Sequence, residues 1–275
     1  MAKRVGMVLA GCGHRDGSDV AETMLAFLML DRAGAKVICA APDAEQREVV
    51  DHLRDTAGSA IETPTALDAA GGARNARVEA ARLAPGTVLP LSELDPNRLE
   101  GLIVPSGRGV ATLLSDYAVK GALCAVDPDL ARVMKALLAA KKPMGFLGLA
   151  AVLAARVLGP VAGVRLTLGS KAAVAAKHAA VMGADVRPGA IDDVIADERS
   201  RVYSTPGLEA EGARLAQVAK AVEKLSRALV SAPRQPQRPP RPAHPVPDRP
   251  RFEPKPATAA APPSVDPIRR PAGPR

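Results

Sequence analysis

The sequence predicts a doubly wound α/β fold, a mostly parallel sheet with helices on both faces. Three observations predict it. Short apolar runs alternate with helical segments along most of the chain. Those runs are apolar throughout, as strands buried on both faces are. Three of them open into glycine-rich turns, which is where such sheets place their ligand crevice.

Residues 4–10, RVGMVLA, read as the first buried strand, and the loop GCGHRDG follows. Residues 18–33 read as a helix. Asp19 and Glu22 have capping-box spacing, and Gly34 supplies the stop. KVICAAP (36–42) is a second strand, and 43–55 a short amphipathic helix. Residues 56–98 are less regular, with a helix expected over 76–84. The run 101–104 is a third core strand that enters the loop PSGRG. Residues 127–142 form a helix, with Asp127 as N-cap and Lys141 and Lys142 at its negative end. KPMGFLGLAAVLA (142–154) reads as strand, sharp turn and helix, with Gly148 at the apex. Residues 163–169 suggest another strand, and 171–184 a helix that stops at Gly183. Two short strands flank a polar turn at 197–200. Leu215, Val218, Val222, Leu225 and Leu229 trace one face of a last helix.

The composition changes at Pro233. Fifteen of the 26 prolines lie between there and Arg275. Proline fixes φ and cannot donate a hydrogen bond, so an extended, disordered tail is expected. The division is a folded domain over 1–232 and a tail over 233–275. The formal net charge is +8, but the tail carries +6 of it. The domain is close to neutral, and nucleic-acid binding is not expected. Aromatic content of 2% leaves few base-stacking surfaces and points the same way.

Cys12, Cys39 and Cys124 are too few and too scattered for a disulfide scaffold, which fits a reducing cytoplasm. Without a CxxC pair, and with four dispersed histidines, a metal site is not expected. LAGC at Cys12 has the form of a lipoprotein cleavage box. The apolar stretch before it is about five residues, against roughly 7–15 for a signal segment, so a buried strand is the better reading. No apolar run reaches the ~20 residues of a membrane span.

GCGHRDG departs from a dinucleotide fingerprint, and PSGRG lacks the lysine and spacing of a P-loop. The turn at Gly148 is more specific. A nucleophile elbow needs a tight strand-to-helix turn with small neighbours, here Ala150 and Ala151. On the residues alone an ordinary strand-to-helix turn is the favoured reading.

The ordered series LAGCG, DGSD, CAAPD, RNARVEAAR, LIVPSGRG, KPMGFLGLAA, RLTLG and DDVIADERSRVYSTP resembles the ElbB family. That family, also called isoprenoid biosynthesis glyoxalase, lies in the PfpI branch of the class I glutamine-amidotransferase-like superfamily. The resemblance covers about residues 3–232. It implies a flavodoxin-like sandwich with a cysteine at the elbow, in the pattern Gly-Phe-(Met/Ile)-Cys-Ile-Ala-Pro. This chain has Gly145-Phe146-Leu147-Gly148-Leu149-Ala150-Ala151. The nucleophile position is therefore Gly148, and the family's proline is Ala151. Glu22 matches the superfamily's acidic residue that assists proton transfer; a simple capping carboxylate is the alternative. The family's Pro-Gly-Gly-Phe-Gly loop, which offers backbone N–H groups to an oxyanion, is here Pro105-Ser106-Gly107-Arg108-Gly109.

The expectation is a catalytic turn without its catalyst, retained to bind a ligand or a protein. A small carbonyl compound is the candidate ligand, and no cofactor is expected. The candidate crevice comprises Gly11, Cys12, Gly13, Ser106, Gly107, Arg108 and Leu149 beside Gly148 and Glu22. The alternative is an active glyoxalase or lyase using Glu22 with Ser106, Cys12 or Arg108. A dimer is expected because superfamily members often pair. PxxP spacings with arginines in the tail would suit an SH3-type partner; a solvated low-complexity extension is the favoured reading.

Overall fold

The computed structural model describes residues 2–46, 49, 50, 52 and 74–232. The expected tail lies outside these residues, as does part of the helix expected over 43–55. Residues 43–46 are not helical. Their backbone pairs with a distant segment instead: Gln46 N–H donates to the Arg74 carbonyl at 2.6 Å, and Ala76 N–H to that of Ala44 at 2.8 Å.

In chain order the elements are β1 (Lys3–Val8), α1 (Val20–Arg32), β2 (Ala35–Ala41), α2 (Ala76–Ala80), β3 (Val88–Pro90) and β4 (Gly101–Val104). Then come two short helices, α3 (Gly109–Thr112) and α4 (Tyr117–Lys120), followed by α5 (Pro128–Ala139), β5 (Met144–Leu147) and α6 (Ala151–Ala162). The chain continues through β6 (Arg165–Leu166), α7 (Val174–Val181), β7 (Asp185–Val186), β8 (Ile195–Asp197), β9 (Val202–Thr205) and α8 (Leu215–Ser231). A seven-stranded sheet has the order β3-β2-β1-β4-β5-β9-β8. Every neighbouring pair is parallel except β8–β9. This is the doubly wound α/β sheet expected from the alternation of elements.

The strands show why both faces must be covered. Val5, Met7, Leu9, Ile103 and Leu147 face one core, with residues of α1 and α8. Val8, Leu102, Val104, Met144 and Phe146 face the other, with residues of α5 and α6. Side chains alternate sides along a strand, so apolar residues at consecutive positions require two cores. On α8, Val218, Val222, Leu225 and Leu229 are buried as the spacing predicts. Leu215 is not; at 52% exposure it begins the helix outside the packed face.

Two other expectations need correction. The strand over 163–169 is only β6, two residues paired with β7 in a separate small sheet. Arg165 N–H and Thr167 N–H are instead taken up by the side chains of Asp197 and Ser204, so no longer ladder forms. Helix α5 has Asp127 as its N-cap, accepting from Asp129 and Leu130 N–H, but it ends at Ala139. Lys141 reverses the chain at φ +51°, and the Lys142 ammonium bonds the Pro96 carbonyl rather than the helix end.

Candidate functional site

Strands β1, β4, β5 and β9 lie side by side and run parallel, so the loops at their carboxyl ends converge. The turn after β5 supplies Gly148, at φ +48°. A short 3₁₀ turn over Gly148–Ala150 leads directly into α6. Glycine holds this left-handed conformation without the cost a side chain would bring. It also leaves room for a neighbour. A Cβ at Gly148 would stand 2.8 Å from Ser106 Oγ, 3.0 Å from Ser106 Cβ and 3.3 Å from the Pro206 carbonyl oxygen.

The β4 loop carries Ser106, Gly107 and Arg108. It is clamped to the first loop through backbone: Arg108 N–H donates to the His14 carbonyl at 2.9 Å, and Gly109 N–H to that of Gly17 at 2.9 Å. Gly109 is needed for this approach, because a Cβ there would strike the Ala10 carbonyl oxygen. Ser106 is buried beneath the elbow. Its hydroxyl accepts the Leu149 N–H at 3.0 Å and donates to the Glu209 carboxylate.

Glu22 lies at the centre and is fully buried. One carboxylate oxygen accepts Ser106 N–H at 3.1 Å and the other accepts Leu208 N–H at 2.6 Å. It does not close a capping box. Asp19 alone caps α1, accepting Glu22 N–H at 2.9 Å, while Asp19 N–H donates to the Ser106 carbonyl. Burial pushes the Glu22 pKa up to about 7, against the pull of the two N–H donors; the charges of Asp19 and Glu209 push it further.

His14 and Glu209 complete the group, and the sequence singles out neither. His14 Nδ1 meets Asp19 Oδ2 at 2.6 Å, and that hydrogen bond raises the His14 pKa. Burial alone would raise Asp19, but the bonds from His14 and Glu22 N–H outweigh it and hold Asp19 low. Glu209 follows β9. Although the residue is exposed overall, its carboxylate turns inward to the Ser106 hydroxyl, and burial raises its pKa against the pull of that hydroxyl and of Gly107 N–H. A cavity of ≈ 280 Å³ opens above, lined by His14, Arg15, Arg108, Tyr117, Leu149 and Glu209 among others.

Of the expected crevice residues, Ser106, Gly107, Arg108 and Leu149 gather around Gly148 and Glu22. Gly11, Cys12 and Gly13 do not. The loop turns at Gly11 (φ +71°) and Gly13 (φ +135°) and carries them to the other side. Gly11 faces Gln46, and Gly13 faces Asp16 and His52. Cys12 lies among Arg82, Glu79, Asp16 and Arg74, and burial raises its pKa, which disfavours a reactive thiolate. The first loop instead contributes His14 and Arg15 to the cavity. Among the described residues, no three His, Cys, Asp or Glu side chains are placed to hold a metal ion.

No family model matches the chain. Individual proteins do. The mitochondrial ES1 protein homolog of Rattus norvegicus is 34% identical over 216 residues, 76% of each chain. The human mitochondrial glutamine amidotransferase-like class 1 domain-containing protein 3 is 34% identical over 77% of each. Among solved structures, an isoprenoid biosynthesis protein with an amidotransferase-like domain from Ehrlichia chaffeensis aligns with a TM-score of 0.70 at 26% identity. The alignment covers 82% of this chain and 98% of that one. A ThiJ/PfpI domain protein from Brachyspira murdochii, at 15% identity and a TM-score of 0.50, shares the fold. The agreement in sequence over three-quarters of both chains places this protein in the ES1 family of glutamine amidotransferase-like class 1 domain proteins.

Proposed function

We propose that this chain is an ElbB-like domain without the thiolate chemistry of its resemblance, retained as a ligand-binding scaffold. The observation that carries the reading is the elbow. Gly148 has no side chain to add to an aldehyde, and Ser106 Oγ lies 2.8 Å from where a Cβ would be. Glyoxalase chemistry of the ElbB type begins with addition of a cysteine thiolate to a carbonyl carbon. The nearest cysteine in sequence to any crevice residue, Cys12, faces away with a raised pKa. The test is conversion of methylglyoxal to lactate by the purified full chain. The expected result is no lactate above a protein-free control. Sustained wild-type turnover would overturn the proposal.

One observation favours a second reading, an active lyase. Glu22, raised to about 7, has the poise of a general base at neutral pH, and its carboxylate bonds the backbone of Ser106. In that case Glu22→Gln must abolish any turnover found; unchanged turnover would exclude Glu22 as the base.

The Ehrlichia protein is named for isoprenoid biosynthesis. For this chain the association is a proposal at the level of pathway, with no reaction attached. We place the chain in a reducing compartment, on the strength of three unpaired cysteines. Cytoplasm is the expectation from sequence, whereas both mammalian relatives are named as mitochondrial. Among the described residues, no helix is long and apolar enough to cross a membrane. A dimer is proposed as well, and light scattering at micromolar concentration tests it.

A further inference from the structure

We propose that the crevice is a carboxylate site that the chain's own Glu209 occupies, and that small monocarboxylates are the ligands that displace it. The inference rests on the reading of the crevice as a binding pocket and adds a ligand class to it.

The Glu209 carboxylate is held as a bound carboxylate would be. It accepts from Ser106 Oγ, and the Gly107 N–H favours its charged form against the effect of burial. The hydroxyl is oriented for this role. Leu149 N–H occupies an acceptor position on Ser106 Oγ at 3.0 Å, which leaves the hydroxyl proton to point at an anion. Charge-assisted bonds of this kind are the stronger class. Around them, His14, Arg15 and Arg108 line the cavity, and among the described residues Glu209 is the one acidic side chain lining it. His14 is matched by Asp19 at 2.6 Å. When the Glu209 side chain turns away, the Ser106 hydroxyl is left to donate to another carboxylate at the same place.

Displacement asks only the Glu209 side chain to turn, because the Leu208 N–H beside it stays bonded to Glu22 at 2.6 Å. Glu209 also lines a second, open depression of ≈ 890 Å³, which gives its side chain space to turn into. The inner cavity, ≈ 280 Å³, holds an acid of a few carbons. A neutral dicarbonyl would forfeit the charge that Glu209 supplies, so carboxylates are preferred over uncharged isosteres.

The experiment is titration of the ¹⁵N-labelled full chain with acetate, and with acetamide as the neutral isostere, followed by amide NMR shifts. Glu209→Ala is expected to bind acetate at least ~10-fold more tightly than wild type. Adding Ser106→Ala should cost that variant about 10-fold, and acetamide should show no comparable gain. Glu209→Gln keeps the side-chain shape and should fall between, which preserves the test if Glu209→Ala does not fold. Acetate binding that is no tighter in either Glu209 variant overturns the proposal. So does an equal gain for acetamide, or indifference to Ser106→Ala. Methylglyoxal turnover is read separately: a positive result would end the non-enzymatic reading while acetate affinity still decides this one.

Discussion

Placing a cysteine at the elbow is expected to destabilise the fold, and Ser106 is expected to account for much of the loss. At φ +48°, Gly148 is in the left-handed region, where a non-glycine residue costs ~1–2 kcal/mol. A Cβ there would also stand 2.8 Å from Ser106 Oγ and 3.0 Å from its Cβ, too close for either to remain in place. Crowding of this kind costs ~1–3 kcal/mol. Gly148→Cys alone should therefore lose about 3 kcal/mol, within the ~5–15 kcal/mol of a typical domain. Ser106→Gly removes both crowding atoms. Alone it loses the hydroxyl's bonds to Leu149 N–H and Glu209, at ~1–3 kcal/mol. In the double variant the crowding is absent and only the backbone cost and the lost bonds remain. Urea unfolding of the four proteins at pH 7 should show a double-variant loss smaller than the sum of the singles by at least ~1 kcal/mol. Additivity within ~0.5 kcal/mol would refute the idea that Ser106 occupies the elbow's space.

Three further outcomes are expected. A carboxyl whose pKa rises from 4.5 to about 7 on folding stabilises the fold fully below the unfolded value, and that contribution is lost as pH rises through about 7. Wild type should thus lose up to about 3 kcal/mol between pH 5 and 8 through Glu22, and Glu22→Gln should flatten the profile; parallel profiles for the two proteins in urea melts would contradict this. His14 should titrate above its ordinary value by NMR, and Asp19→Asn, which keeps a good helix cap, should bring it down; an unmoved His14 would break the assigned pairing. Leu225→Ala should cost ~2–5 kcal/mol in chemical denaturation, because Leu225 is fully buried where α8 crosses Gly145 of β5; a loss under about 1 kcal/mol would mean that α8 is not packed there.

Much of the fold is legible in the sequence because periodicity reports burial directly. Apolar spacing alone locates β1, β4, β5 and α8. Partnership is what it does not report. Residues 163–169 look like a strand, but Asp197 and Ser204 take up N–H groups that a ladder would use, and only two residues pair. The site divides in the same way. The resemblance and the loop after β4 point to Gly148, Glu22 and Ser106. Gly11, Cys12 and Gly13 are misplaced by sequence reasoning because two positive-φ glycines turn that loop, and glycine in a sequence does not state its φ. Glu209 escapes notice for a topological reason. β8 and β9 read correctly as two short strands, but nothing in them says that β9 inserts parallel beside β5 and so brings its own loop to the crevice.

The placement of Glu22 bears on whether a buried carboxylate argues for catalysis. Such a group costs free energy unless its oxygens are satisfied. Here they are, by Ser106 N–H from the β4 loop and Leu208 N–H from the β9 loop. The carboxylate of α1 thus ties two loops to that helix across 84 and 186 residues of sequence. Gly207 keeps the β9 loop close enough to be tied, since a Cβ there would collide with Glu22 Oε1 and stand 3.0 Å from Gly148 N. The β4 and β9 loops are therefore held in mutual register by Glu22, and the elbow joins them through Leu149 N–H and Ser106 Oγ; that structural task is complete without any proton transfer. A pocket assembled in this way keeps its shape when the nucleophile is lost. That is the physical condition the proposed binding role requires, and it makes Glu22 a weaker sign of catalysis than its raised pKa alone suggests.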